Sequence, residues 1–450
     1  MELTVLNPRD GSVASTTPVS TAADVEAAVR VARRAFPAWA ATPAAARAAA
    51  MHAAASAVEQ AATALAETMS AEMGKPVDEA RDSIMAGVGT LRQYAELGPA
   101  HRGRTLLGDD RAIDLMAYEP RGVVAVITPW NDPVAVSCGL LGAALVTGNV
   151  VIYKPSERTP ATGTRLFELL APHFPDDVIA LLSGGGEVGA ALAGAPVDVV
   201  AHVGSTATGR AIAAACAHTG AKALLENGGS DPLIVDAGVD VGWAASQAAL
   251  GAFANSGQIC VSVERIYVHS EIADDFLAAL TAEATEWAGR IGPLVDTRLR
   301  DAVHAQVEEA VSAGAKVLTG GDVPDGPGAW YPPTVLADCT DEMAVVAEET
   351  FGPVAPVVVV DSFDEAMTRA ASSPYGLAAS VLTSSMSHAQ QARRGLPVGT
   401  VKINNVFGGA PAGAAQPRGA SGQGFGYGPE LLDEMTTTKV VHLEDPPTGW

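Results

Sequence analysis

Val197-Asp198-Val199-Val200-Ala201-His202-Val203-Gly204-Ser205-Thr206 decides how the rest of the chain is read. Residues 197–203 form an apolar, β-branched run too short for a helix and without the alternation of a half-solvated strand. A strand apolar on both faces belongs to a parallel sheet covered by helices. Gly204 ends the run and Ser205 opens a helix. Such a turn can hold a pyrophosphate, because the helix N-terminus presents free N–H groups; a plain capped βα turn fits the same residues. His202 reads as a core residue.

Runs of the same kind recur at 123–127, 150–153, 178–182 and 223–225, alternating with helical stretches. A second set follows at 232–235, 265–269, 316–318, 357–360, 378–383 and 400–404. Two α/β domains with parallel sheets are expected, the break falling near residue 226. A further β run at 439–443 follows a glycine-rich segment at 408–428. Upstream, the N-terminal third reads as helical. Val25, Ala28, Val29, Ala32 and Phe36 keep helical spacing behind a Thr21–Asp24 capping box. A second, Ala-rich helix is expected over 43–73, ending at Gly74 with Pro76 beyond.

Composition narrows the function classes. The 450 residues carry 28 Lys and Arg against 51 Asp and Glu, a net charge of −23, which disfavours nucleic acid or an anionic membrane as partner. A hydrophobic share of 48% is too high for a disordered chain. Four cysteines make no disulfide scaffold and point to a reducing, cytoplasmic compartment. No secretory signal is expected in the first ten residues. The uncharged stretch 133–153 reads as a buried helix, a Gly148-Asn149 stop and a strand, not a membrane span.

Several short segments can carry chemistry. Cys260 ends Asn255-Ser256-Gly257-Gln258-Ile259-Cys260, a glycine-containing turn between a helix and a strand. A thiol there can be reachable and activated, and an ordinary buried cysteine also fits. Cys138, Cys216 and Cys339 read as buried. No CxxC pair or spaced histidines suggest a metal site, so none is expected. Glu226 ends an apolar run before Asn227-Gly228-Gly229, at the crevice of the sheet. Burial there would raise its pKa and suit it to general-base work; a solvent-facing strand end is the alternative. Pro129-Trp130-Asn131 places a neutral amide donor at a strand end. Lys154-Pro155-Ser156-Glu157 places a cation and a carboxylate on one rigid turn. Ser183-Gly184-Gly185-Gly186 is a glycine-rich βα turn, and Glu349-Thr350-Phe351-Gly352-Pro353 sets a carboxylate two residues from an aromatic ring.

Taken in order, with Asn404 and Ser421-Gly422-Gln423-Gly424, these motifs resemble the NAD(P)-dependent aldehyde dehydrogenase superfamily over essentially the whole chain. The resemblance implies an aldehyde substrate and a Rossmann-type cofactor domain over 1–102 and 121–226. It further implies an α/β catalytic domain over 227–425 and a small β oligomerisation arm over 103–120 and 426–450, building a homodimer or homotetramer. It implies Cys260 as nucleophile, Asn131 with the Cys260 N–H as oxyanion hole, and Glu226 as general base. Lys154 and Glu157 would hold the adenosine ribose, Ser205 the pyrophosphate, Glu349 the nicotinamide ribose and Phe351 the nicotinamide. Ile127, Trp130, Ser156, Gly184, Gly204 and Gly228 would complete the cofactor contacts. NAD is expected ahead of NADP, because the Glu157 carboxylate would repel a 2′-phosphate.

Alternatives are a semialdehyde or aminoaldehyde dehydrogenase of narrow specificity, an acylating relative using coenzyme A, and a non-catalytic member. Acylating members generally lack the base that Glu226 would supply. Four departures from the family pattern stand out. Asp132 replaces an aromatic residue that normally lines the substrate tunnel, and Asn227 replaces Leu. Ala254 stands where some semialdehyde relatives carry Arg, and His202-Val203 replaces Phe-Thr.

Overall fold

The computed structural model describes residues 1–408 and 413–446. Residues 409–412, within the glycine-rich segment, and 447–450, at the end of the expected arm, lie outside them.

The apolar runs of the first set form one sheet in the order Gly422–Gln423, Lys222–Glu226, Val199–Val203, Val123–Ile127, Val150–Lys154, Ile179–Leu181. All of these pair in parallel except Gly422–Gln423, which lies antiparallel against Glu226 and Leu225. Val123–Ile127, Val150–Lys154 and Val199–Val203 are buried at every position, as uninterrupted apolar runs require. The second sheet has seven strands ordered Lys316–Thr319, Thr334–Ala337, Val354–Val360, Val263–His269, Asp231–Val235, Ala378–Leu382, Thr400–Ile403. Only Lys316–Thr319 runs antiparallel there. Thr436–Glu444, Ala112–Pro120 and Arg104–Leu106 make a third, antiparallel sheet.

The helices depart from expectation in two places. The first, Ala22–Ala40, has the expected Thr21–Asp24 capping box, but a hairpin of Glu2–Leu6 and Val13–Pro18 precedes it. Its first strand alternates exposed and half-buried residues and its second is mostly exposed or half-buried, so neither carries an apolar run to announce it. The Ala-rich segment is two helices, Ala44–Gln60 and Ala62–Met73, meeting at Ala61. Alanine carries no stop signal, so composition cannot mark that break. Gly74 ends the second helix in the left-handed conformation. Residues 133–146 form the expected buried helix, and among the described residues no helix is long and apolar enough to cross a membrane.

One buried carboxylate ties the N-terminal helices to helix Pro160–Leu170 and to the N-terminal hairpin. Glu72, 1% exposed, accepts from the N–H groups of Ala161 and Thr162, both at 2.9 Å, and from the Thr162 and Ser15 hydroxyls. A carboxylate at the N-terminus of helix Pro160–Leu170 meets free N–H groups and the positive end of the helix dipole. It thereby fixes the turn 154–159 that leads into this helix.

Candidate active site

Cys260 lies where the chain leaves helix Val241–Phe253 and approaches strand Val263–His269. Asn255, Ser256 and Gly257 adopt left-handed φ of 50°, 58° and 73° in succession. Two of these are not glycine, so side chains must hold the turn. The Ser256 hydroxyl donates to the Gly292 carbonyl at 2.8 Å. The Gln258 amide donates to the Asn255 carbonyl and accepts from the Val295 N–H, both at 2.9 Å. Gly257 could not be replaced cheaply, because a Cβ there would stand 2.1 Å from the Gly352 carbonyl oxygen. The turn is thus pressed onto the 349–353 segment.

Glu226 ends its strand beside this turn. The Cys260 Sγ–H donates to Glu226 Oε1 at 3.5 Å. Burial pushes the Glu226 carboxyl above its ordinary value, and the thiol contact partly opposes that shift. Burial pushes the Cys260 thiol well up as well, reinforced by the carboxylates of Glu226, Asp231 and Glu349. The thiol thus faces the Glu226 carboxyl across a single hydrogen bond. Gly426 leaves Glu226 its space, since a Cβ there would approach Glu226 Oε2 to 2.4 Å. Asn131 is buried against the turn that leads to Cys260. Its amide donates to the Gln258 carbonyl at 3.0 Å, and its own carbonyl accepts from Asn255 at 3.3 Å. One amide hydrogen is committed there and the other remains for a ligand.

The cofactor candidates gather at the carboxyl ends of the first sheet. Ile127, Lys154 and His202 are register partners on three adjacent strands. The Lys154 ammonium, 3% exposed as a residue, lies 3.7 Å from Glu157 Oε2. Ser156 is buried and accepts from the Arg158 N–H at 3.3 Å. Ser205 caps helix Thr206–Thr219 by accepting from the Thr208 N–H at 3.3 Å. Gly184 takes φ 147°, and Gly185 and Gly186 have open space where a side chain would stand. Trp130 and Phe351 meet edge to face at 5.5 Å, and the Arg158 guanidinium lies over the Trp130 ring at 5.1 Å. The Glu349 carboxylate accepts from the Gly229 N–H at 2.9 Å and crowds Gly228. Burial raises its pKa to about 7. An ammonium and a carboxylate on one turn, a helix N-terminus with clear space, and two facing rings together fit a dinucleotide.

The departures from the family pattern resolve into contacts. Asp132 accepts from the Ser83 hydroxyl and lies 4.0 Å from the Lys75 ammonium, so it is paired within the fold. The Asn227 amide donates to the Ala420 carbonyl at 3.1 Å, and its Oδ1 stands against Gly209 without a partner, away from any contact with the Glu226 carboxylate. His202 donates from Nδ1 to the Ile127 carbonyl at 3.2 Å, and burial holds it near pKa 4, so the ring is neutral. Ala254 caps helix Val241–Phe253.

Buried Asp231 and Glu264 and half-buried Lys402 are ionisable residues around the site that the sequence does not single out. Burial raises Asp231 and Glu264 to about 8. Burial lowers Lys402, against the pull of Asp231 and Cys260. The adjacent charges Glu264-Arg265 inside an apolar strand were the one visible signal.

The sequence model of the aldehyde dehydrogenase family matches residues 1–441. A putative succinate-semialdehyde dehydrogenase [NADP(+)] of Mycolicibacterium smegmatis is 35% identical, covering 98% of this chain and 89% of the relative. The solved lactaldehyde dehydrogenase of Escherichia coli superposes with a TM-score of 0.95 at 34% identity, over 99% of this chain and 96% of that one. Betaine aldehyde dehydrogenase of Staphylococcus aureus, solved in complex with NAD+, gives a TM-score of 0.95 at 31% identity, over 100% of this chain and 93% of that one. The chain belongs to the aldehyde dehydrogenase family, whose members are oxidoreductases.

Proposed function

We propose that the chain oxidises an aldehyde to its carboxylic acid, with NAD as acceptor, through a thioester on Cys260. The observation that carries this reading is the Cys260 thiol 3.5 Å from Glu226 Oε1, with the Asn131 amide nearby. Glu226 takes the thiol proton, and the thiolate attacks the aldehyde carbon. The oxyanion forms against the Asn131 amide and the Cys260 N–H and then collapses. Lys154, Ser205 and Glu349 would hold the nicotinamide dinucleotide, which would supply an acceptor for the hydride lost from that carbon. Cys260 is left carrying an acyl group. Glu226 releases its first proton, takes a second from water, and the resulting hydroxide attacks the thioester. The acid departs and the thiolate of Cys260 is regenerated.

NAD over NADP rests on Glu157, whose carboxylate would meet a 2′-phosphate with like charge. We assign the cofactor to the domain of the first sheet, which the Gly422–Gln423 strand joins, and Cys260 to the domain of the second. The third sheet serves as the oligomerisation arm of a homodimer or homotetramer. Its exposed Ile113, Val440 and Leu443 support that role. A cytoplasmic location fits the free cysteines.

The test is NADH formation over a panel of lactaldehyde, succinate semialdehyde, betaine aldehyde and propanal, with Cys260→Ala as control. At least one aldehyde should turn over in the wild type and none in the variant. Turnover that survives in Cys260→Ala overturns the reading. Acyl-CoA produced when coenzyme A is added would point to the acylating reaction instead.

A further inference from the structure

We infer that Glu264 is a positioning residue that fixes the cofactor-facing turn 349–351 to the strand that follows the nucleophile. The inference rests on the proposed roles of Glu349 and Phe351. Glu264 is 4% exposed and stands second in strand Val263–His269, four residues after Cys260. Its Oε2 accepts from the Thr350 N–H at 2.7 Å and its Oε1 from the Phe351 N–H at 3.0 Å. Phe351 is held at φ 55°, a conformation that a residue with a bulky side chain avoids unless it is constrained. The Thr350 hydroxyl donates to Gln306 Oε1 at 2.7 Å, and the Gln306 amide donates back to the Glu349 carbonyl at 3.4 Å. The turn is thus gripped from two sides.

Two converging N–H donors need two acceptor oxygens on one rigid group. A carboxylate supplies them; an amide supplies one acceptor and turns a donor toward the other N–H. The consequence is geometric. Glu349 and Phe351 flank Thr350, and Phe351 meets Trp130 edge to face. Loosening the turn therefore moves the proposed nicotinamide contacts relative to the thiol while leaving the thiol's own turn, held by Ser256 and Gln258, in place.

Steady-state kinetics on Glu264→Gln and Glu349→Gln test this. For both variants we expect the KM for NAD to rise about fivefold or more. For Glu264→Gln the aldehyde KM and the rate of Cys260 alkylation by iodoacetamide should stay within about twofold of wild type. A merely structural loss would move all of these together. If Glu349→Gln raises the NAD KM and Glu264→Gln does not, the positioning role is overturned and the site reading stands. If neither variant raises it, both fail. Should Glu264→Gln not fold, Glu264→Asp, which keeps the charge but shortens the reach, is read in the same way. Amide exchange in the wild type is independent of any variant: slow exchange at Thr350 and Phe351 is expected, and exchange at open-loop rates overturns the inference.

Discussion

Glu226 and Cys260 are each pushed by burial toward the protonated form, yet the proposed chemistry needs both deprotonated in turn. Aldehyde oxidation should therefore speed up as pH rises from 6 to 9, read as kcat/KM against pH; a profile that falls over this range contradicts the assignment. Stability should run the other way. Burial raises Asp231 to about 8 in the folded chain against an ordinary value of 3.8. Protonated groups of this kind favour the fold fully below about pH 4, and that contribution is lost as pH climbs through about 8. The thermal midpoint should drop between pH 6 and 9, and drop less in Asp231→Asn, which keeps an acceptor for the Ala378 N–H without the titration. An equal drop in both would remove Asp231 from the account. These residues also mark the limit of legibility. Cys260, Glu226 and Asn131 were visible because glycines and prolines frame them in the sequence. Asp231, Glu264 and Lys402 matter because of what surrounds them, and surroundings are assembled from strands far apart in the chain.

The strands were legible where both faces are buried. Val123–Ile127 and Val150–Lys154 betray themselves by unbroken apolar runs, and the exposed edge Lys316–Thr319 was also expected, whereas Thr334–Ala337, with only four residues, was not. The pairing of Gly422–Gln423 with the end of the Glu226 strand has no local signal at all, being two residues brought there by tertiary packing. It explains why the Ser421-Gly422-Gln423-Gly424 motif belongs with the site. Only glycine at 422 clears the Leu225 carbonyl oxygen, 2.0 Å from where a Cβ would stand. At this scale Glu72 is the most exposed to test. Its replacement by alanine leaves the N–H groups of Ala161 and Thr162 and the Thr162 hydroxyl without an acceptor. We expect Glu72→Ala to cost about 3 kcal/mol in denaturant unfolding; a loss below about 0.5 kcal/mol would mean that water replaces the carboxylate.

Across the whole molecule, the net charge of −23 opposes an anionic cofactor. In the proposed function, binding would rest on local donors, Lys154, Ser205 and the helix N-terminus behind it, against a repulsive field. Salt screens that field over about 8 Å at physiological strength, so the KM for NAD should fall as ionic strength rises from low values, and a flat response would contradict this. The two sheets meet at the thiol. The first supplies Glu226 and the turns proposed for the cofactor, while the second supplies Glu264, on the strand that follows Cys260. The central claim is that an acyl group passes through Cys260 and is released by Glu226. Its most direct test is intact and peptide mass spectrometry of Glu226→Gln quenched after mixing with NAD and the fastest aldehyde of the panel. The account predicts an acyl mass on the peptide containing Cys260, formed with about one equivalent of NADH per site. NADH formed with no adduct on Cys260, or with undiminished steady turnover in this variant, would contradict it.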